Sequence, residues 1–244
     1  MDIIKKISEE LQVKAGQVEA AVKLIDEGCT IPFIARYRKE VTGALDDEQL
    51  RSLDERLRYL RNLEDRKQQV ISAIEEQGKL TSELKEQITS AETMVLVEDL
   101  YRPYKQKRRT RATTAKEKGL EPLANLILLQ KMTVSPLEKA ENYINPEKEV
   151  STAEDALNGA KDILAESVSD NADFRTHIRE LTMKHGQLLS AAKDPEAESV
   201  YEMYYEFSES LSKLAGHRIL AISRGEKEKF LTVKIDAPVD RILS

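Results

Sequence analysis

Between residues 46 and 77 the chain runs for 32 positions without a glycine or a proline, and apolar side chains recur there at Leu50, Leu53, Leu57, Leu60, Ile71 and Ile74. Heptad spacing of that kind builds one continuous apolar seam along a helix. Asp46 with Gln49 three residues on is a capping-box pair for its start, and Gly78 stops it. A helix over 47–77 spans about 45 Å at 1.5 Å per residue, too long to hide inside a small globule and long enough to serve as a strut between subdomains. Glu64 and Lys67 interrupt the seam.

Shorter helices are predicted on both sides. Ile3, Ile4, Ile7 and Leu11 repeat at helical spacing, as do Val18, Ala21, Val22 and Ile25, and Gly28 ends the second run. Thr30 is placed to cap a third helix, with Pro32 near its start, Phe33 and Ile34 facing inward, and Arg36, Arg38 and Lys39 projecting. Three short helices in about forty residues suggest a helix-turn-helix-like unit. Further helices are expected from Thr81, from Thr93 to Tyr101, from Leu120 to Gln130, after the Ser151/Glu154 capping box, from Asp170, and from Ser199 to Leu214. Only 229–236 alternates as a strand does, and its partner is expected elsewhere, either in this chain or in sequence beyond it. Segment 217–228 reads either as a short helix or as a hairpin turning at Arg224-Gly225, where the glycine supplies an unusual backbone angle.

The fold class that follows is mainly α: a multi-helical scaffold with a helix-turn-helix-like portion, one long helix and a short β segment near the C-terminus. It divides into an N-terminal short-helix unit at 1–45, a long connecting helix at 46–78, a helical scaffold at 79–214, and a short helix or turn with its strand at 215–244. A content of 40% apolar and 34% charged residues, with only 9 Gly and 7 Pro, fits solvated helices rather than disorder. No window approaches the roughly 20 apolar residues that cross a bilayer, and no export signal opens the chain, so no membrane role is expected. The single Cys29 forms no internal disulfide, which points to a reducing cytoplasmic location.

Charge is segregated. Residues 102–118 hold eight Lys or Arg against the one acid Glu117, in a chain whose net charge is −6. With Tyr101 before it, the segment opens Tyr101-Arg102-Pro103-Tyr104-Lys105-Gln106-Lys107-Arg108-Arg109-Thr110-Arg111 and is expected as a loop between packed helices. Such a cluster binds polyanions through counterion release, so Arg102, Lys105, Lys107, Arg108, Arg109 and Arg111 are candidate contacts to the phosphate backbone of RNA or DNA. Guanidinium groups fork onto carboxylates as readily, and Glu98, Asp99 and Glu121 are near in sequence. Arg36, Arg38 and Lys39 form a second cationic candidate, with Glu40, Asp46 and Asp47 as possible neutralising acids. Tyr101, Tyr104 and Tyr37 could stack on bases, or anchor helix ends in the core.

No catalytic constellation is visible. His177, His185 and His217 lie far apart, Cys29 has no activating neighbour in sequence, and neither a phosphate-cradling glycine loop nor a metal-ligand spacing is present. No enzyme activity, metal or cofactor is expected.

Three stretches together resemble the amino-terminal region of the bacterial Tex family of transcription accessory proteins, relatives of a eukaryotic elongation factor. They are Thr30-Ile31-Pro32-Phe33-Ile34-Ala35-Arg36-Tyr37-Arg38-Lys39-Glu40 with Thr42-Gly43-Ala44-Leu45-Asp46, then Glu98-Asp99-Leu100-Tyr101-Arg102-Pro103-Tyr104-Lys105 continuing to Leu123, and His217-Arg218-Ile219-Leu220-Ala221 with Arg224-Gly225-Glu226-Lys227-Glu228. The resemblance implies a helical scaffold that precedes an RNase H-like YqgF domain without an intact nuclease centre, helix-hairpin-helix elements and an S1 domain that is the main nucleic-acid binder. The expected function is a non-catalytic contribution to sequence-independent RNA or DNA binding in transcription. The alternative is a protein-docking scaffold for RNA polymerase or the family's own C-terminal domains.

Overall fold

The computed structural model describes residues 2–106 and 108–244. The chain is mainly α-helical and forms two compact units, 1–106 and 107–244.

The first unit holds α1 (Ile3–Leu11), α2 (Ala15–Asp26), α3 (Ile31–Tyr37), α4 (Asp47–Glu76), α5 (Ser82–Ser90) and α6 (Met94–Tyr101). The capping box at Asp46 and Gln49 starts α4, and Gly28 and Gly78 take positive φ just after α2 and α4, where a Cβ would be strained. All the other helices of this unit pack on α4, which makes it their spine. The seam residues Leu50, Leu53, Leu57, Leu60 and Ile74 are at most 2% exposed, as are Leu63 and Val70 between them. Lys67 does not interrupt the seam but completes it. Its stem is buried, and Nζ donates to Glu64 Oε1 at 2.8 Å and to the Thr89 carbonyl at 2.9 Å. A long aliphatic stem fills a core position once its ammonium finds acceptors at the far end.

The second unit begins with α7 (Arg111–Glu117), α8 (Glu121–Leu128), α9 (Pro136–Ala140), α10 (Ala153–Asp170) and α11 (Ala172–His185). The basic stretch expected as loop is therefore helical in its second half. Thr110 caps α7 by accepting from the Thr113 amide at 3.0 Å. The capping box expected at Ser151 and Glu154 forms one residue later, between Thr152 and Asp155. Ala112, Ala115, Leu120, Leu123, Ala156, Ala160 and Ile163 make the helical core.

A three-stranded antiparallel sheet follows, from β1 (Gln187–Ala192), β2 (Glu206–Ser210) and β3 (Leu231–Asp236), in the order β2-β1-β3. Leu188 lies opposite Glu209 on one side and Ile235 on the other. The partner of the C-terminal strand thus lies within the chain. The helix expected from Ser199 to Leu214 is replaced by short 3₁₀ turns flanking β2. Tyr204 and Phe207 there pack edge to face at 5.4 Å, and pairing to β1 outweighs local helix preference. Segment 217–228 is helical as far as Lys227, within α12 (Gly216–Lys227), with Glu228 as its C-cap, and α13 (Val239–Leu243) follows β3. Gly225 does not take a positive φ. It lies inside α12 where Leu231 and Tyr201 approach too closely for a Cβ. Among the described residues no helix is long and apolar enough to cross a membrane.

Candidate nucleic-acid interface

The first unit carries one cationic group on α3. Ile34 and Ala35 are buried toward the core and Ile31 packs against it, so Pro32, Phe33 and residues 36–41 are left facing solvent. Arg36, Tyr37, Arg38 and Lys39 are exposed, and none of these three cations forms an ion pair among the described residues. The acids that could have neutralised them are engaged elsewhere. Asp46 accepts the Gln49 amide at 2.8 Å, and Asp47 pairs with Arg51 at 2.6 Å, both at the start of α4. Glu40 remains the local acid. Phe33, expected to face inward, is 37% exposed, because the buried arc of α3 is filled by Ile34 and Ala35.

The same unit ends with Tyr101, Arg102, Tyr104 and Lys105. Lys105 pairs with Glu98, which also accepts from Arg66 Nε at 2.6 Å. Arg66 and Lys105 each lie 5.5 Å from the centre of the Tyr101 ring, so two cations already use its π system. Tyr101 and Tyr104 are half-buried against the core, and the Tyr104 carbonyl accepts from Gln77 at 3.0 Å. Arg66 holds the Glu98 carboxyl below the ordinary carboxylate value, with a smaller contribution from Lys105 and against the opposing effect of burial.

In the second unit Arg108 is exposed and forms no ion pair among the described residues. Lys107 lies outside the described residues. Arg109 pairs with Glu117 at 2.8 Å, and Arg111 approaches Asp162 of α10 at 3.6 Å while remaining 88% exposed. A cleft of about 620 Å³ runs between α7 and α10, with Arg109, Arg111 and Lys118 on one wall and Asp155 and Asp162 on the other. Exposed pairs of this kind are worth about 0–1 kcal/mol each, so phosphate oxygens can exchange for the carboxylates at little cost. The acid partners foreseen from sequence include Glu98, but Glu117 and Asp162 are supplied by the helical form of 111–117 and by its packing on α10.

Fold and surface together define a helical scaffold that displays cations from short helices and their flanking turns. The sequence matches the Tex-like protein N-terminal domain over residues 1–75 and the Tex central region-like domain over 131–242, and the chain belongs to the Tex family. It is 48% identical over 241 residues to an uncharacterised protein of Bacillus subtilis, YdcI, covering 98% of this chain and 34% of that one. It is 46% identical over 241 residues to Protein tex of Bordetella pertussis, covering 98% and 30%. Against the transcriptional accessory protein Tex of Neisseria gonorrhoeae the identity is 42% over 238 residues, covering 96% and 31%. The chain spans about a third of the length of these curated relatives.

Proposed function

We propose that this chain contributes a sequence-independent, charge-driven contact to RNA or DNA within a cytoplasmic transcription accessory protein, without catalysing a reaction itself. The observation that carries this reading is the set of exposed cations with no carboxylate partner among the described residues, Arg36, Arg38, Lys39 and Arg108, in a chain of net charge −6. Lys105, Arg109 and Arg111 join them as contacts made when phosphate replaces a carboxylate, and Arg102 and Lys107 belong to the same basic stretch of the sequence. Contacts of this type position a backbone and ignore base sequence. The name of the gonococcal relative, a transcriptional accessory protein, supports the setting. A human relative, S1 RNA-binding domain-containing protein 1, 31% identical over 245 residues, supports the ligand class.

The test is a salt titration of the chain against RNA and duplex DNA. Log affinity should fall against log salt with a slope near −0.9 per duplex phosphate neutralised. Reversing Arg36, Arg38 and Lys39, or Arg108, Arg109 and Arg111, to Glu should each lower the affinity and flatten the slope. Unchanged binding in both variants rejects the reading.

A second reading is favoured by one patch. Leu128, Leu129, Val134 and Leu137 on and between α8 and α9 are each about half exposed, which suits docking of a protein such as RNA polymerase or the family's own C-terminal domains. Retention of either on the immobilised chain in nuclease-treated solution, lost on Leu128→Ser with Leu137→Ser, supports that role.

A further inference from the structure

Phe33 and Tyr37 occupy positions i and i+4 of α3 on its solvent side, 37% and 61% exposed. Their ring centres are 5.4 Å apart with planes tilted by 45°, so the two rings already touch and leave no slot between them. The Arg38 guanidinium lies 5.3 Å from the centre of the Phe33 ring. Phe33 is thus flanked by two neighbours, and Tyr37 is the more open of the two rings.

The support beneath these rings is set in advance. The Arg38 carbonyl accepts from the Thr42 amide at 3.1 Å, the Ala44 amide donates to the Lys39 carbonyl at 2.8 Å, and Gln17 Nε2 donates to the Gly43 carbonyl at 2.7 Å. Thr42 and Leu45 are buried as anchors of the same turn. A surface ordered before binding loses little conformational entropy when a ligand arrives.

We infer that Tyr37 is a base-stacking site, backed by Phe33 and neighboured in sequence by Arg36, Arg38 and Lys39, and that α3 therefore takes single-stranded nucleic acid with an accessible base in preference to a duplex. This rests on the nucleic-acid reading above and adds to it a contact that is not electrostatic. These neighbours fix the class of occupant. Three exposed cations without ion pairs among the described residues lie within two residues of one open ring, and that combination suits a ligand that alternates a flat π-face with an anion, which is the repeat of a single strand. In a duplex the bases are stacked on both faces, and exposing one costs a few kcal/mol. Only the phosphate contacts then remain.

The experiment titrates the whole chain, wild type and Tyr37→Ala, Tyr37→Phe and Arg36→Gln/Lys39→Gln, against a short oligouridylate and a duplex of equal length at several salt concentrations. Base stacking on an aromatic side chain is worth about 1–3 kcal/mol, so Tyr37→Ala should lose roughly 5- to 150-fold in affinity for the single strand. Its duplex affinity and its salt slope should not change. Tyr37→Phe should bind as wild type does, and Arg36→Gln/Lys39→Gln should flatten the slope on both ligands. Tyr37 is well exposed, so its replacement should leave the thermal midpoint in place, and that midpoint is recorded for each variant. An oligouridylate affinity in Tyr37→Ala equal to wild type, or an equal loss on both ligands, overturns the stacking site while the phosphate reading stands. If the wild-type chain binds neither ligand, the nucleic-acid reading itself falls and takes the stacking site with it.

Discussion

Arg56 of α4 grips Glu10 of α1 through two parallel bonds, Nε to Oε2 at 2.5 Å and Nη2 to Oε1 at 2.7 Å. Arg61 repeats the arrangement with Asp26 of α2 at 2.7 and 2.8 Å, and Arg66 reaches Glu98 of α6 at 2.6 Å. Five residues on an α-helix turn the side chain by about 140°, so three arginines at this spacing fan around the spine and each meets a different helix. The seam supplies cohesion, and this fan ties α1, α2 and α6 to their places around it. Arg56 also stacks on Tyr59, its guanidinium 4.9 Å from the ring centre. A double-mutant cycle of Arg56→Gln with Glu10→Gln, followed by urea unfolding, is expected to give a coupling of about 0.5–1 kcal/mol, because both partners are about one-third exposed and solvent screens the pair. Arg56→Gln alone should cost more than the coupling, since it also removes the stacking contact.

These pairs set the acid limit of the first unit. The arginine bonds hold Glu10, Asp26 and Glu98 below their ordinary values of 4.5, 3.8 and 4.5, against the opposing effect of burial. In that range the unfolded chain binds more protons than the folded one, so stability rises with pH there. The contribution is fully present above the ordinary carboxylate values and is lost as pH falls through the lower folded ones. Thermal midpoints should therefore hold from neutral pH down to about pH 5 and decline below it. Arg66→Met should start from a lower midpoint and show a shallower acid decline; the same decline as wild type would remove Glu98 from the account.

Much of the first unit was legible because its signals are local. The Asp46/Gln49 box, the leucine seam and the stops at Gly28 and Gly78 are read within one helix and hold in three dimensions. Lys67 looks like a break in the seam because charge alone does not reveal the Thr89 carbonyl, 22 residues away, that makes its burial possible. β1 was missed because Gln187-Leu188-Leu189-Ser190-Ala191-Ala192 carries no strong strand residue and becomes a strand by pairing on both edges. At the candidate interface, sequence placed the exposed Tyr37 and the half-buried Tyr101 on equal terms. The difference lies in the Arg66 and Lys105 side chains packed on Tyr101, and Arg66 comes from a helix 35 residues earlier. A weak signal for Phe33 was available, since its i+4 neighbour is an aromatic and not an aliphatic residue.

Lys67 gives a prediction with two distinguishable arms. Lys67→Ala removes a side chain that is 1% exposed and deprives the Thr89 carbonyl of its donor, so it should destabilise by about 3–5 kcal/mol. Lys67→Met keeps most of the volume without the ammonium and should cost distinctly less. Urea unfolding of both variants checks the order; equal costs would mean that the lost hydrogen bonds, and not the cavity, dominate.

Gly225 and Gly16 make opposite predictions from the same substitution. A Cβ at Gly225 would meet Leu231 Cδ1 at 2.7 Å, Leu231 Cγ at 3.0 Å and Tyr201 Cδ1 at 3.1 Å. Alanine gains up to about 1 kcal/mol in helix propensity, but overpacking costs about 1–3 kcal/mol, so Gly225→Ala should be destabilising. Gly16, in α2, has nothing within 4 Å of the same point, so Gly16→Ala should be neutral or stabilising. Thermal midpoints of the two variants should move in opposite directions or, at the least, rank in that order.

The acids around Arg109 and Arg111 offer a test of the proposed interface in which the mutation is expected to improve binding. Glu117 holds Arg109 at 2.8 Å, and Asp162 holds Arg111 at 3.6 Å, and a phosphate approaching either cation must displace a carboxylate that also repels it. Glu117→Gln and Asp162→Asn remove both penalties while leaving the cations in place. With exposed pairs worth about 0–1 kcal/mol, the affinity for RNA and for duplex DNA at low salt should rise by up to about fivefold for each change. The gain should shrink as salt is added, because screening weakens the freed cations along with the lost repulsion. Stability should change little, since neither pair is buried. If both variants bind as wild type at every salt concentration, Arg109 and Arg111 do not touch phosphate and drop out of the proposed contact.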